Sequence, residues 1–163
     1  MRHMKQFLFL LLTFVCIEAY AQHYAFTRHP MGNPVKCYDN MNMKEVRYKI
    51  YPLKEESNAG AIVQLLHSKD NYIAIKVNGE ITYVKKGYLA VNTRNYNGKT
   101  LCLYDQPNYD SEVVYKTTQE HTITIYNIWN GWLYVCINEK NRDKVYGWIE
   151  PDMQCPNPFT SCP

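Results

Sequence analysis

Cysteine, histidine and paired carboxylates are the residue types with which this chain of 163 residues could do covalent or metal chemistry. It holds six Cys and five His. No Cys-x-x-Cys occurs, and His23, His29, His67 and His121 lack ligand spacing, so no zinc site is expected. A Cys/His peptidase needs an activated Cys at a helix N-terminus and a neighbouring His. No segment at helical spacing is present to carry one. Gly-x-Ser-x-Gly, His-Glu-x-x-His and a phosphate-binding glycine loop do not occur either. His67 precedes Ser68-Lys-Asp70, and His121 sits between Glu120 and Thr122, both at turn or edge positions. Glu55-Glu56 fall in a charged loop, where solvation is their ordinary role. The expectation is a non-enzyme with no metal and no cofactor.

The remaining chemistry is aromatic. Tyrosine is over-used, with 15 in the chain. Tyr104, Tyr109, Tyr126, Trp129, Trp132 and Tyr134 are the candidate ligand contacts. Their rings offer rigid apolar faces with a polar edge, suited to peptide chains and sugar rings. Trp129 lies in the turn 127–131, where core packing does not explain a Trp, and it is the first choice among them. Trp132 and Trp148 fit a packing role better than a contact role.

Strands must position these rings. β-branched and aromatic residues dominate, Ala is scarce, and short apolar or alternating runs recur. They are 62–66, 72–77, 81–84, 122–126 and 132–137. Turn residues separate them at Val77-Asn-Gly-Glu80, Asn97-Gly98, Asn130-Gly131 and 138–141. Short strands so spaced predict an all-β barrel or sandwich. Asn78-Gly79 predicts a two-residue hairpin, because Asn-Gly best tolerates positive φ at both central residues. Segment 44–58 is ambiguous: Val46, Tyr48 and Ile50 alternate like a strand, and Pro52 opposes a helix. Segment 22–35 has no period and reads as a lead-in.

The two halves share an order of features. Tyr72 falls opposite Trp132, Ile75 opposite Val135, and Tyr83-Val84 opposite Trp148-Ile149, while Val63 and Ile123 precede them at equal distance. That order predicts a tandem repeat. The second copy resembles the bacterial SH3 (SH3b) family. Leu101-Cys-Leu103, Pro107, Ser111 and Val113-Val114 match its opening, Gly131-Trp-Leu-Tyr-Val135 its middle strand, and Gly147-Trp-Ile149 its close. The first copy matches only over Tyr72 to Leu89, and Val35-Lys-Cys37-Tyr38-Asp39 lacks the family's opening pattern. The resemblance implies an all-β chain of two small SH3-like, partly open barrels in tandem. Leu101/Leu103, Val113/Val114, Ile123/Ile125, Val135/Ile137 and Ile149 supply a core face. Each contributes roughly 1.5–3 kcal/mol when fully buried.

The N-terminus bounds the compartment. Arg2 and Lys5 precede an apolar run to Ile17, followed by Ala19-Tyr20-Ala21, a signal-peptidase pattern. Cleavage after Ala21 would leave 142 residues and a net charge of about +2, too balanced to argue for nucleic acid or an anionic membrane. Lipidation at Cys16 and a retained anchor are the alternatives. The apolar run is shorter than the about 20 residues a spanning helix needs, and no later stretch qualifies.

The expected organisation is a signal peptide (1–21), a lead-in (22–35), a degenerate SH3b-like domain (36–91), a linker (92–99), a second SH3b-like domain (100–154) and a tail (155–163). Export permits disulfides. Cys155 and Cys162 are the expected pair, closing a short Pro-bearing loop, while Cys37, Cys102 and Cys136 are small apolar filling or unassigned partners. The functional expectation is an exported, non-catalytic binding module in the periplasm or outside the cell. It would recognise peptidoglycan peptide, glycan or a protein segment of the envelope, and no nucleic acid. The alternative is an exported interaction subunit or an inhibitor of an envelope enzyme.

Overall fold

Short apolar and alternating runs along the chain become strand after strand. The computed structural model describes residues 23–53, 58–138, 143–159 and 162. The expected signal segment with Cys16, and Glu55-Glu56, lie outside the described residues. The strands are β1 (His23–Arg28), β2 (Val35–Tyr38), β3 (Val46–Ile50), β4 (Ala59–Lys69), β5 (Tyr72–Val77), β6 (Glu80–Lys85) and β7 (Leu89–Thr93). They continue as β8 (Leu101–Tyr104), β9 (Val113–Thr117), β10 (Thr122–Trp129), β11 (Trp132–Ile137), β12 (Val145–Ile149) and β13 (Gln154–Cys155). The chain is all-β, as its composition predicts. The hydrogen-bonded path runs β3-β2-β6-β5-β4-β1-β7-β10-β11-β12-β8-β9, with β13 also on β7. Both halves therefore share one open antiparallel sheet, and the ladder does not close into a barrel.

The halves repeat one another in register. In each, a bulge interrupts the long strand one step before a matching residue: Leu65/His67 in β4 and Ile125/Asn127 in β10. The next turn carries Asp70 at φ 45° in the first half and Asn130 at φ 44° in the second. Tyr38 pairs with Tyr83 as Tyr104 pairs with Trp148. The two bulged strands also meet each other. Ser68 Oγ donates to Asn127 Oδ1 and accepts from the Ile128 amide at 2.9 Å.

β1 comes out of the segment read as a lead-in, and the expected linker contains the end of β7. A buried polar knot follows each of these two strands. The Nδ1 of His29 lies 3.0 Å from the Asn33 carbonyl, which can only accept. Nδ1 therefore carries the proton, and Nε2 accepts from the Thr27 hydroxyl at 2.9 Å. In the corresponding place Thr93 Oγ1 donates to Asn95 Oδ1 at 2.6 Å, and Asn95 Nδ2 donates to the Gln119 carbonyl at 2.8 Å. All four residues are buried.

One hydrophobic core serves both halves. It includes Cys37, Val63, Ile73, Ile75, Leu89 and Val91 with Leu101, Leu103, Ile123, Ile125, Val135, Ile137 and Ile149. Val113 and Val114 depart from the expected core: Val113 is half-buried and Val114 is exposed. Their strand β9 ends the ladder, where among the described strands only β8 pairs with it.

The disulfide Cys155–Cys162 is present, as its spacing predicts. Its loop lies on β7 and the turn after it. Asn92 Nδ2 donates to the Asn157 carbonyl at 2.9 Å, and the Cys162 amide donates to Tyr96 Oη at 2.9 Å. Cys37, Cys102 and Cys136 are free thiols.

Candidate functional site

The face of β8, β11 and β12 turned away from the core carries the rings. On β11, Leu133, Val135 and Ile137 point into the core, which turns Trp132, Tyr134 and Cys136 the other way. On β12 the same alternation buries Gly147 and Ile149 and turns out Tyr146 and Trp148. On β8 it buries Leu101 and Leu103 and turns out Cys102 and Tyr104. Leu103 and Val114 crowd Gly147 so tightly that a Cβ there would lie 2.8 Å from the Leu103 Cβ. Glycine at that position lets the two ring-bearing strands approach.

Seven rings assemble on this face in two groups. Trp132 holds Tyr109 at 4.9 Å and Tyr104 at 5.4 Å between centroids, and those two tyrosines lie 6.2 Å apart. Tyr134 lies 5.3 Å from Trp148 and stacks on Tyr146 at 6.2 Å, and Tyr146 meets Tyr126 at 5.7 Å. The backbone pairing of Trp148 with Tyr104 sets the groups side by side. Four of these six pairs meet edge to face and one is stacked, geometries that suit the ring quadrupoles.

The first group has an acidic rim. Glu150 hydrogen-bonds the Tyr109 hydroxyl, and Asp152 lies close by. Burial raises the Glu150 carboxyl above its ordinary range; Asp152 adds to that, and the Tyr109 hydrogen bond opposes it. Burial likewise raises the Tyr104 and Tyr109 phenols, with Glu150 as the next cause in each. In the second group Tyr146 is raised first by its hydrogen bond with the Cys136 thiol.

Five of the six sequence-nominated rings belong to this surface: Tyr104, Tyr109, Tyr126, Trp132 and Tyr134. Trp129 stands apart. It is 59% exposed at the end of β10 and has no ring partner among the described residues. Trp132 is buried, at 7% exposure, but its cover is Tyr104 and Tyr109 rather than the hydrophobic core. Tyr146 and Trp148 were not nominated. The alternation Tyr146-Gly-Trp148, set against Val145 and Ile149, is the signal that places both on the ring face. Tyr109 and Tyr146 are the most open rings of the seven, at 59% and 40% exposed.

Among the described residues the first half carries no such platform. Tyr72 meets Tyr83 at 5.2 Å and His67 at 6.1 Å, while the place of Tyr134 is taken by Ala74. Of the free thiols, Cys37 and Cys136 are buried and Cys102 is partly exposed. Burial pushes the Cys37 thiol up to about 11, against hydrogen bonds with Tyr48 and Thr82 that lower it. Cys136 is buried, and Sγ donates to the Ile137 carbonyl. Among the described residues no group of three His, Cys, Asp or Glu could hold a metal ion. No described helix is long and apolar enough to cross a membrane.

No protein-family model matches the chain, and no curated protein does. Two solved structures are similar over most of its length. NlpC1 from Trichomonas vaginalis is 18% identical, over 82% of this chain and 45% of that one, with a TM-score of 0.35. NlpC2 from Trichomonas vaginalis is 17% identical, over 83% of this chain and 48% of that one, also with a TM-score of 0.35. The chain spans less than half the length of either.

Proposed function

We propose that this chain is an exported, non-catalytic binding module of the cell envelope, built from two SH3b-like units, and that its second unit binds peptide on the ring platform. The observation that carries the reading is the assembly of seven rings on one outward face, with Tyr109 and Tyr146 open to solvent. A folded chain has no packing need for so many rings on a face turned away from its core. The acidic rim chooses among ligands. Glu150 and Asp152 beside Tyr109 and Trp132 favour an amine next to an apolar group, as a peptide side chain or N-terminus presents.

Sedimentation with purified peptidoglycan tests this. The protein is expected to pellet with untreated peptidoglycan and to stay in solution when the stem-peptide amines have been acetylated. Tyr109→Ala and Tyr146→Ala are expected to remain folded and to stay in solution with both. Equal pelleting of all three proteins would remove the platform as the binding site. Failure of the wild-type protein to pellet would favour a protein ligand, the interaction-subunit reading.

A further inference from the structure

Three lysines stand in a row across three adjacent strands of the first half. Lys49 on β3 is the direct cross-strand partner of Lys36 on β2. The Tyr38–Tyr83 pairing, carried two residues along, sets Lys85 on β6 beside Lys36 on its other flank. All three line one groove of about 400 Å³ with Asn33, Pro34, Tyr38 and Tyr88. Neighbouring strands lie about 4.8 Å apart, so the stems leave the sheet at that interval. Like charges directly opposite one another destabilise a sheet.

The charges in this row are not neutralised within the described residues. Asp39, directly after β2, and Glu80 at the start of β6 are both taken by Arg47, at 3.3 and 2.9 Å. Lysine on an edge strand can serve simply to block aggregation. That covers Lys49 alone, because β2 and β6 have neighbours on both sides. Nor does the fold require the row. At the same register in the second half stand Cys102, paired with Lys116, and Glu150 two residues beyond Trp148. Those residues mix a thiol, a cation and an acid.

We propose that this groove binds an extended acidic peptide segment, its carboxylates on Lys36, Lys49 and Lys85 and its apolar side chains against Tyr38, Tyr88 and Pro34. The lining favours peptide over phosphate. It contains no Arg fork and no glycine-rich backbone cradle, the usual holders of phosphate, whereas flexible point charges beside aromatic rings suit carboxylates on a peptide. Extended backbone sets alternate side chains on one side, so acids two residues apart face the row together. This site lies on the first half and does not depend on the platform of the second.

The test is fluorescence anisotropy of a labelled glutamate hexapeptide against the intact protein at low salt. Saturable binding that weakens with salt is expected. The triple variant Lys36→Gln, Lys49→Gln, Lys85→Gln should bind about tenfold more weakly or worse. Lys116→Gln, at the corresponding row of the second half, should bind like wild type. The triple variant should also melt at the same temperature or higher, because the opposed charges are gone. No binding by the wild-type protein, or an unchanged triple variant, would overturn the proposal. Tighter binding of dextran sulfate than of the hexapeptide would overturn it in favour of an anionic glycan. Equal competition by inorganic phosphate would reduce the groove to a general anion site and overturn it too.

Discussion

Gly60 on β4 lies so close against the imidazole of His29 that a Cβ there would overlap Nε2, and it would overlap Thr27 Oγ1 as well. The ring cannot yield, because both its nitrogens are hydrogen-bonded and His29 is fully buried. Gly60→Ala should therefore destabilise the protein by about 1–3 kcal/mol, the usual cost of overpacking. A thermal melt reads this directly, and an unchanged midpoint would show that the knot gives way easily.

The same ring makes stability depend on pH. Burial holds the His29 imidazole below its ordinary 6.5, with the Asn33 hydrogen bond opposing, and burial lowers His23 as well. A lowered histidine binds fewer protons folded than unfolded. Its contribution is intact above about 6.5 and is lost as pH falls from there through the folded value. Urea midpoints should drop between about pH 7.5 and about pH 5. His29→Asn, which copies the residue at position 95, should flatten part of that drop and leave the part due to His23. An identical pH profile for the variant would assign the whole effect elsewhere.

The two tryptophans three residues apart should behave differently. Trp132 is covered by Tyr104 and Tyr109, and its removal should cost about 3–5 kcal/mol while dispersing the platform. Trp129 is exposed, and Trp129→Ala should cost less than about 1 kcal/mol. Since Trp129 stands outside the ring groups, its loss should also leave peptidoglycan binding intact. Melting curves and sedimentation of both variants check this. Loss of binding in a folded Trp129→Ala would extend the site to the end of β10.

Thiol reactivity should follow burial. At about pH 8 an alkylating reagent should label Cys102 first, because Cys136 is covered and Cys37 is both buried and held to about 11. Peptide mapping without reductant should recover Cys155 joined to Cys162. Reducing that bond should cost less than about 3 kcal/mol, since the loop is short. Rapid labelling of Cys37 in the native protein would contradict the burial described.

The local chemistry of turns was the most legible layer of the sequence. Asn78-Gly79 takes φ values of 50° and 87°, and Asn130-Gly131 takes 44° and 83°. The short disulfide was legible for the same reason: nearness in sequence decides both. β1 was not. It runs between β4 and β7, and Ala25, Phe26 and Thr27 are buried in succession, so the strand shows no alternation. A repeat signal was nevertheless present. Thr27-Arg28, Gly32 and Tyr38-Asp39 recur at one constant offset as Thr93-Arg94, Gly98 and Tyr104-Asp105. The offset shortens after β3, because the connection from β3 to β4 is longer than the one from β9 to β10. That shift hides the opening of one copy from a comparison anchored on Tyr72 and Trp132. The site was half legible: ring types and strand periods were visible, but side-by-side placement depends on β12 crossing between β8 and β11.

β7 closes the first half and, through β10, opens the second; along its other edge β1 and β13 lie end to end, β1 on Leu89 and Ala90 and β13 on Asn92 and Thr93. Synthesis proceeds from the N-terminus, so β7 emerges with β1 already available and β10 not yet made. Until residues 122–129 follow, one flank of β7 is an open row of backbone donors and acceptors. The latch at Thr93 closes last of all, when residues 154–155 arrive. Truncation anywhere before them therefore leaves this edge of β7 unfinished at the seam between the halves.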